Sequence, residues 1–232
     1  GKTCFDKKKS VLIEKPACTN SSEFEELISL AQEKGVYIFE GIYFRSHTNI
    51  QKIFEIIDNI NFGEIKSLTA VFGNDALGGK KLFGLRLKKP KKSNRLFNPA
   101  CFGGSIWDLG CYPIVFANIF IKKYTNKYLS VSDVIKVKRT MGPTDVDLQS
   151  ELELIADKIK INLKTSLINT LKNSILIEYK NGKIEIENLL NIGNKLKLEI
   201  TYNNKKVIST LDSNESIFNN FKNLVYLNIV EK

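Results

Sequence analysis

Histidine, tryptophan and methionine occur once each in these 232 residues, and cysteine only four times. The one histidine, His47, and Cys4, Cys18, Cys101 and Cys111, with no C-x-x-C pair among them, provide no zinc-ligand spacing, so no metal is expected. So few cysteines in so long a chain argue against a disulfide framework and for reduced thiols in a cytoplasmic protein. No apolar run approaches the roughly twenty residues of a membrane-spanning helix. Cys111 to Ile121 is apolar, but it is short and broken by Asn118, which reads as a buried helix. Near the start, Glu14-Lys15 cuts the first apolar run too early for a signal peptide. Internal repeats are absent.

Lysine is abundant. Lys+Arg number 35 against 25 Asp+Glu, a formal charge of +10. Apart from Lys7-Lys8-Lys9 and Lys88 to Lys92 the lysines are scattered. They do not interleave with aromatics as a nucleic-acid surface does. The excess therefore reads as solvated surface, with neither nucleic acid nor membrane as partner. At 43% hydrophobic the chain can bury a sizeable core.

Periodicity divides the chain in two. Val11-Leu12-Ile13 suits a short buried parallel strand, and Val36 to Phe39 a second. Between them Phe24, Leu27, Ile28 and Ala31 recur at helical spacing, with Ser22-Glu23-Phe24-Glu25 as a capping box and Lys34-Gly35 as a helix end. This is one strand–helix–strand unit, with a right-handed crossover. Ser46 to Ile60 is a second amphipathic helix, with Ile50, Ile53, Phe54 and Ile57 on one stripe. A strand follows from Ile65 to Phe72, then a long mobile loop from Gly73 to Lys92. Gly78-Gly79-Lys80 in that loop reads as surface rather than a phosphate cradle.

After Leu129 the spacing changes to that of strands: Val131 to Thr140, Glu151 to Ala156, Ile159 to Leu167, Ser174 to Tyr179, Lys183 to Glu187, Lys195 to Tyr202 and Lys206 to Leu211. Several alternate apolar with charged residues, the pattern of antiparallel strands with one solvated face. Asn181-Gly182 is a hairpin turn signal. Asn214 to Val225 is predicted to form a final helix.

Two stretches carry the chemistry. In Gly103-Gly104-Ser105-Ile106-Trp107-Asp108-Leu109-Gly110-Cys111-Tyr112-Pro113 the glycine pair permits a tight turn or a close approach. Asp108 and Tyr112 are four apart, so a helix would point both from one face, a carboxylate beside a phenol. Pro113 is expected to kink or restart that helix. In Glu14-Lys15-Pro16 a lysine sits at the C-terminal edge of a parallel strand, where open α/β sheets bind ligands, and proline restricts its backbone. Each stretch alone also fits ordinary surface chemistry.

Together, Val-Leu-Ile-Glu-Lys-Pro at 11–16, Tyr-Ile-Phe-Glu-Gly-Ile-Tyr-Phe-Arg at 37–45 and the 103–113 stretch come in the order and approximate spacing of one family. The chain resembles the Gfo/Idh/MocA oxidoreductases, and most the branch of dimeric dihydrodiol dehydrogenase and the xylose dehydrogenases, which carry tyrosine at the place of Tyr112. The resemblance spans about Ser10 to Pro113; Asn94-Arg95-Leu96-Phe97-Asn98-Pro99 adds to it.

The resemblance implies an α/β plus α+β architecture. Residues 1–45 would be the last strand–helix–strand unit of a Rossmann-type NAD(P)-binding domain. Residues 46–232 would form a substrate and oligomerisation domain with a large, mostly antiparallel open sheet. It gives Lys15, Asp108 and Tyr112 catalytic roles, and Glu14, Lys15, Pro16 and Arg45 cofactor contacts. Tyr43 and Trp107 would line the pocket for a polyol, sugar or dihydrodiol. NAD or NADP would take the hydride, and copies would assemble through the open sheet face. Phe102 and Trp107 fit pocket wall or core equally, and Cys111 fits a small buried residue. The family's glycine-rich fingerprint lies upstream of Glu-Lys-Pro, and this sequence holds no G-x-G-x-x-G. The sequence is therefore expected to be the C-terminal portion of such an enzyme, inactive alone. The alternative is a non-catalytic remnant that keeps the sheet for ligand binding or oligomerisation.

Overall fold

The computed structural model describes residues 2–46, 48–78, 81–82, 85–86, 88–189 and 195–212. His47 and the helix predicted over 214–225 lie outside the described residues. The chain divides into two compact units, one running up to Thr48 and one spanning Asn49–Asn214.

The first unit is a short helix α1 (Lys2–Asp6), strand β1 (Val11–Ile13), helix α2 (Ser21–Glu33) and strand β2 (Ile38–Glu40). β1 and β2 pair in parallel, Val11 opposite Ile38 and Ile13 opposite Glu40, with α2 as the crossover. α2 turns Ala31 into the core and half-buries Phe24, Leu27 and Ile28, the predicted stripe.

The helix does not start at the predicted capping box. Asn20 is extended, and its side chain accepts the Glu23 amide at 2.9 Å. Glu23 reaches back to the Thr19 amide and hydroxyl at 3.0 and 2.6 Å. The reciprocal cap thus sits two residues earlier than Ser22–Glu25, because Asn20 can cap and the serines that follow are already helical. At the other end Gly35 takes φ +66°, the Val36 amide bonds Ala31 O at 2.9 Å and the Gly35 amide bonds Gln32 O at 3.1 Å, a Schellman ending.

The second unit opens with helix α3 (Thr48–Asp58), which buries Ile50, Ile53 and Ile57; the residues before it, Tyr43–Ser46, form a 3-10 turn rather than its first turn. Strand β3 (Ile65–Gly73) follows. Within the predicted loop, β4 (Lys81–Leu82) and β5 (Leu85–Arg86) pair antiparallel. Helix α4 (Cys111–Thr125) precedes seven strands: β6 (Val134–Met141), β7 (Asp147–Ala156), β8 (Ile159–Ser166), β9 (Ser174–Tyr179), β10 (Gly182–Glu187), β11 (Lys195–Tyr202) and β12 (Lys205–Asp212). Val131–Asp133, expected to start β6, is a 3-10 turn capped by Ser130, whose hydroxyl and Asp133 carboxylate form a capping box.

Eight strands form one sheet in the order β12-β11-β10-β9-β3-β8-β7-β6. Only β3 and β8 run parallel; every other pair is antiparallel. One face carries Leu68, Ala70, Ile161, Leu163, Ile175, Ile177, Ile184 and Leu198, all buried. On this unit Phe116, Phe120 and Ile121 of α4 are also buried, and Phe54 of α3 stacks on Phe116 at 6.4 Å. By length and composition alone the helical run Pro99–Thr125 would be apolar enough to cross a membrane, but half of its most apolar eighteen-residue stretch is buried inside this unit, in keeping with the buried helix expected over Cys111 to Ile121. Its apolar residues serve a protein core.

The opposite face mixes charged residues with apolar ones such as Val71, Ile155, Leu176 and Ile208, and its charges alternate across strands. Lys164 meets Glu151 at 2.6 Å, Lys136 meets Glu153 at 3.3 Å, Lys197 meets Glu187 at 3.1 Å, and Lys206 meets Glu199 at 2.8 Å. These lysines stand among carboxylates, and such exposed pairs set register more than stability.

Candidate active site

In the first unit the Glu14-Lys15-Pro16 loop leaves the C-terminal end of β1, where the parallel ladder ends with the Gly41 amide on Ile13 O at 2.8 Å. Lys15 and Pro16 are half-buried, Glu14 is exposed, and the Lys15–Pro16 peptide is cis. Glu40, the last residue of β2, accepts the Ala17 amide at 2.9 Å and so ties the loop to the strand beside it. Sequence reasoning quoted Glu40 within the 37–45 stretch but gave it no role. A carboxylate ending a strand looks like any solvated end until its partner is seen. Arg45 lies exposed in the 3-10 turn that follows β2, and Tyr43 opens that turn.

In the second unit the glycine pair is enclosed by the Asn94–Pro99 stretch. The Gly103 and Gly104 amides bond Asn98 O and Leu96 O, each at 2.9 Å. A Cβ on Gly103 would stand 2.7 Å from Arg95 O, Leu96 O and Asn98 N, so the backbones touch and only glycine fits. The two short 3-10 turns of that stretch are capped by Asn94, which accepts the Leu96 amide, and Asn98, which accepts the Ala100 amide, both at 3.0 Å. The two motifs are therefore one structure.

After Gly104, at φ +120°, the chain enters a π-helical turn, Ile106–Gly110, that continues into α4. The expected regular i,i+4 face is replaced by this wider turn. Pro113, buried in the first turn of α4, lacks the amide that a regular ladder would need there.

The turn is anchored by a residue the sequence did not single out. Asp147, buried at the start of β7, accepts three hydrogen bonds on Oδ2: from Ser105 Oγ at 2.6 Å, Ser150 Oγ at 2.7 Å and the Ile106 amide at 2.9 Å. Ser105 also meets Thr165 Oγ1 at 3.0 Å. A Cβ on Gly104 would lie 2.3 Å from Asp147 Oδ1, so the carboxylate also requires this glycine. A lone Asp in a Thr-Asp-Val-Asp run carries no signal of such a role.

From this anchored turn Asp108 emerges with only 13% of its side chain exposed and pairs with Arg95 Nη1 at 3.1 Å. Tyr112, half-buried, packs edge-on against Phe72 of β3 at 5.2 Å. Trp107 and Phe102 are not core: they are 40% and 37% exposed and meet edge to face at 5.9 Å. Cys111 and Cys18 are half-buried, Cys4 and Cys101 are exposed, and none of the four is in a disulfide. Among the described residues no three His, Cys, Asp or Glu side chains gather as metal ligands.

For a nicotinamide cofactor, the residues present fit one end only. Lys15 stands at the strand edge where such a ring is met in open α/β sheets, while the glycine-rich turn that cradles a pyrophosphate is not among these residues.

No family model matches the chain. It is 30% identical over 113 residues to dTDP-3,4-didehydro-2,6-dideoxy-alpha-D-glucose 3-reductase of Actinomadura kijaniata, covering 49% of this chain and 30% of that one. It is 23% identical over 208 residues to D-xylose 1-dehydrogenase (NADP(+)) 2 of Haloferax volcanii, covering 89% of this chain and 58% of that one. Among solved structures, the 3-ketoreductase KijD10 of Actinomadura kijaniata, in complex with NADP and TDP-benzene, superposes with a TM-score of 0.80 over 98% of this chain and 65% of that one at 18% identity. The chain thus spans between about a third and somewhat over half of these curated relatives, and about two thirds of the solved one. Its homologues are Gfo/Idh/MocA-type oxidoreductases that act on sugars and dihydrodiols, and it matches the C-terminal part of their chains.

Proposed function

We propose that this sequence is the substrate-binding portion of an NAD(P)-dependent oxidoreductase acting on a CH–OH group of a sugar, polyol or dihydrodiol. The observation that carries the reading is the anchored turn from Gly103 to Pro113. A buried carboxylate, Asp147, fixes the backbone that presents Asp108 and Tyr112, with exposed Trp107 and Phe102 beside them. Such pre-organisation is what a reacting site needs and a surface helix does not.

In this reading NAD(P) supplies the hydride acceptor. Lys15 exchanges the hydroxyl proton as the carbonyl forms. Tyr112 donates a hydrogen bond to the reacting oxygen. Asp108, steadied by Arg95, orients the substrate. Glu14, Pro16 and Arg45 contact the cofactor, and Trp107 walls the substrate; the side chain of Tyr43, expected beside it, lies outside the described residues. Residues 1–45 belong to the nucleotide domain and 46–232 to the substrate domain, whose open sheet face joins copies in a cytoplasmic homo-oligomer. Kinship with sugar reductases and dehydrogenases supports this assignment.

Titrating the 232-residue chain with NADPH, read by nucleotide fluorescence, tests it alongside the native gene product. The reading expects weak or no binding by the chain and saturable binding by the gene product. Absence of binding in both would favour the other reading, a remnant serving as a ligand-binding or oligomerisation module.

A further inference from the structure

We propose that the second unit carries a separate site for a compact, neutral polyhydroxylated molecule, in the cleft formed by Tyr179, Asp58 and Tyr124. The cleft has a volume of about 440 Å³ and is lined by residues 57–63, Ile65, Tyr124 and Tyr179. Its aromatic wall is Phe62, stacked on Tyr179 at 4.8 Å.

Tyr179 is 7% exposed, and its hydroxyl is buried with no hydrogen-bond partner among the described residues. A buried donor left unmade costs about 1–3 kcal/mol, so an isolated phenol here is out of place unless something meets it. Burial and the nearby Asp58 charge both push this phenol above its ordinary pKa, so it stays a donor. Asp58 supplies the matching acceptor. Its carboxylate takes the Tyr124 hydroxyl at 2.9 Å and Lys123 Nζ at 2.7 Å. A carboxylate has about four lone-pair sites, so capacity remains.

A ligand hydroxyl that accepts from Tyr179 and donates to Asp58 would complete both. Lys123 already offsets the carboxylate charge, which leaves little attraction for a cation, and Asp58 opposes an anion. Ile60 and Ile65, both half-buried, offer apolar surface to the C–H face of such a molecule. A single water would satisfy the phenol, but it takes only about 30 Å³ of the space. The neighbouring cleft of about 680 Å³ shares Asn59, Ile60 and Asn61 and continues to Tyr202 and Val207, giving room for a substituent.

This is not the site of Asp108 and Tyr112. Tyr124 ends α4 and Tyr112 begins it, about 18 Å apart along the axis at ~1.5 Å per residue. The inference does not depend on the oxidoreductase reading.

The test is backbone-amide NMR of the 232-residue chain titrated with glycerol, D-glucose and myo-inositol. At least one probe is expected to shift the amides of residues 57–65 saturably, and Tyr179→Phe should weaken that binding about tenfold, the worth of one hydrogen bond. Because the substitution removes an unpaired hydroxyl, the variant should keep its fold and its melting temperature. Asp58→Asn should weaken the same titration. No saturable shift at 57–65 with any probe, or one that Tyr179→Phe leaves unchanged, would overturn the proposal, the cleft then holding water only.

Discussion

Asp147→Ala puts the anchored turn to a quantitative test. The carboxylate accepts three hydrogen bonds from a serine hydroxyl on each side and the Ile106 amide, all part-buried or buried. Truncation leaves those three donors without their acceptor. Ser105 can turn wholly to Thr165, already 3.0 Å away, so two remain stranded. At about 1–3 kcal/mol for each buried unsatisfied group, the loss is ~2–6 kcal/mol, a large part of the stability of a domain this size. Asp147→Asn keeps an acceptor for the same three donors without the charge and should lose about 1–2 kcal/mol. The assay is urea unfolding followed by fluorescence of Trp107, the one tryptophan, which sits in the turn itself. A stability for Asp147→Ala within ~0.5 kcal/mol of wild type would refute the reasoning, since that is the range of ordinary surface substitutions.

Three further outcomes follow from the same geometry. Gly104→Ala should destabilise by about 1–3 kcal/mol from crowding against Asp147, with a comparable cost from its φ of +120°, while Gly35→Ala at a roomy site should lose only the strain; equal losses in urea unfolding would contradict the crowding argument. Glu40→Ala should raise hydrogen exchange at the Ala17 amide on the order of tenfold, and an unchanged rate would mean the loop is held otherwise. The lysine partners of Asp58, Glu151 and Glu187 hold these carboxyls below their ordinary values. Folded values lowered beneath the unfolded ones mean that the stabilisation is present at neutral pH and is lost as pH falls from about 4 through the folded values, at no more than ~1 kcal/mol per exposed pair. Melting temperature should therefore drop on acidification, and less steeply in high salt; a flat acid limb would argue against these pairs.

The sequence makes the architecture legible where burial is one-sided. β9 and β11 have the predicted ends: in β11 Leu and Ile alternate with Lys and Glu, and in β9 Ile175, Ile177 and Tyr179 share the buried face, so one register buries the apolar set. α2 and α3 follow their apolar stripes, but their starts differ, since several residues near each could cap and only backbone conformation chooses among them. The hairpin of β4 and β5 escaped notice because two-residue strands carry no periodicity.

At the candidate site, residue types and order were legible, and partners were not. Nothing local in Thr-Asp-Val-Asp marks Asp147 as the acceptor for a turn forty residues earlier. A regular helix was the natural expectation for Asp108 and Tyr112, and the π turn follows from tertiary anchoring together with Pro113. Trp107 illustrates the remaining ambiguity: its size predicts burial, and its 40% exposure has to be seen.

The proposed function gives Lys15 and Tyr112 each a catalytic part in turnover. The most direct measurement is NADP+ reduction by the native gene product with a panel of aldoses, polyols and dihydrodiols, repeated on Lys15→Ala and Tyr112→Phe with melting temperatures recorded. The account predicts turnover by the wild type, its loss in Lys15→Ala and a drop on the order of a hundredfold in Tyr112→Phe at unchanged melting temperature. Wild-type turnover that survives Lys15→Ala undiminished would contradict it.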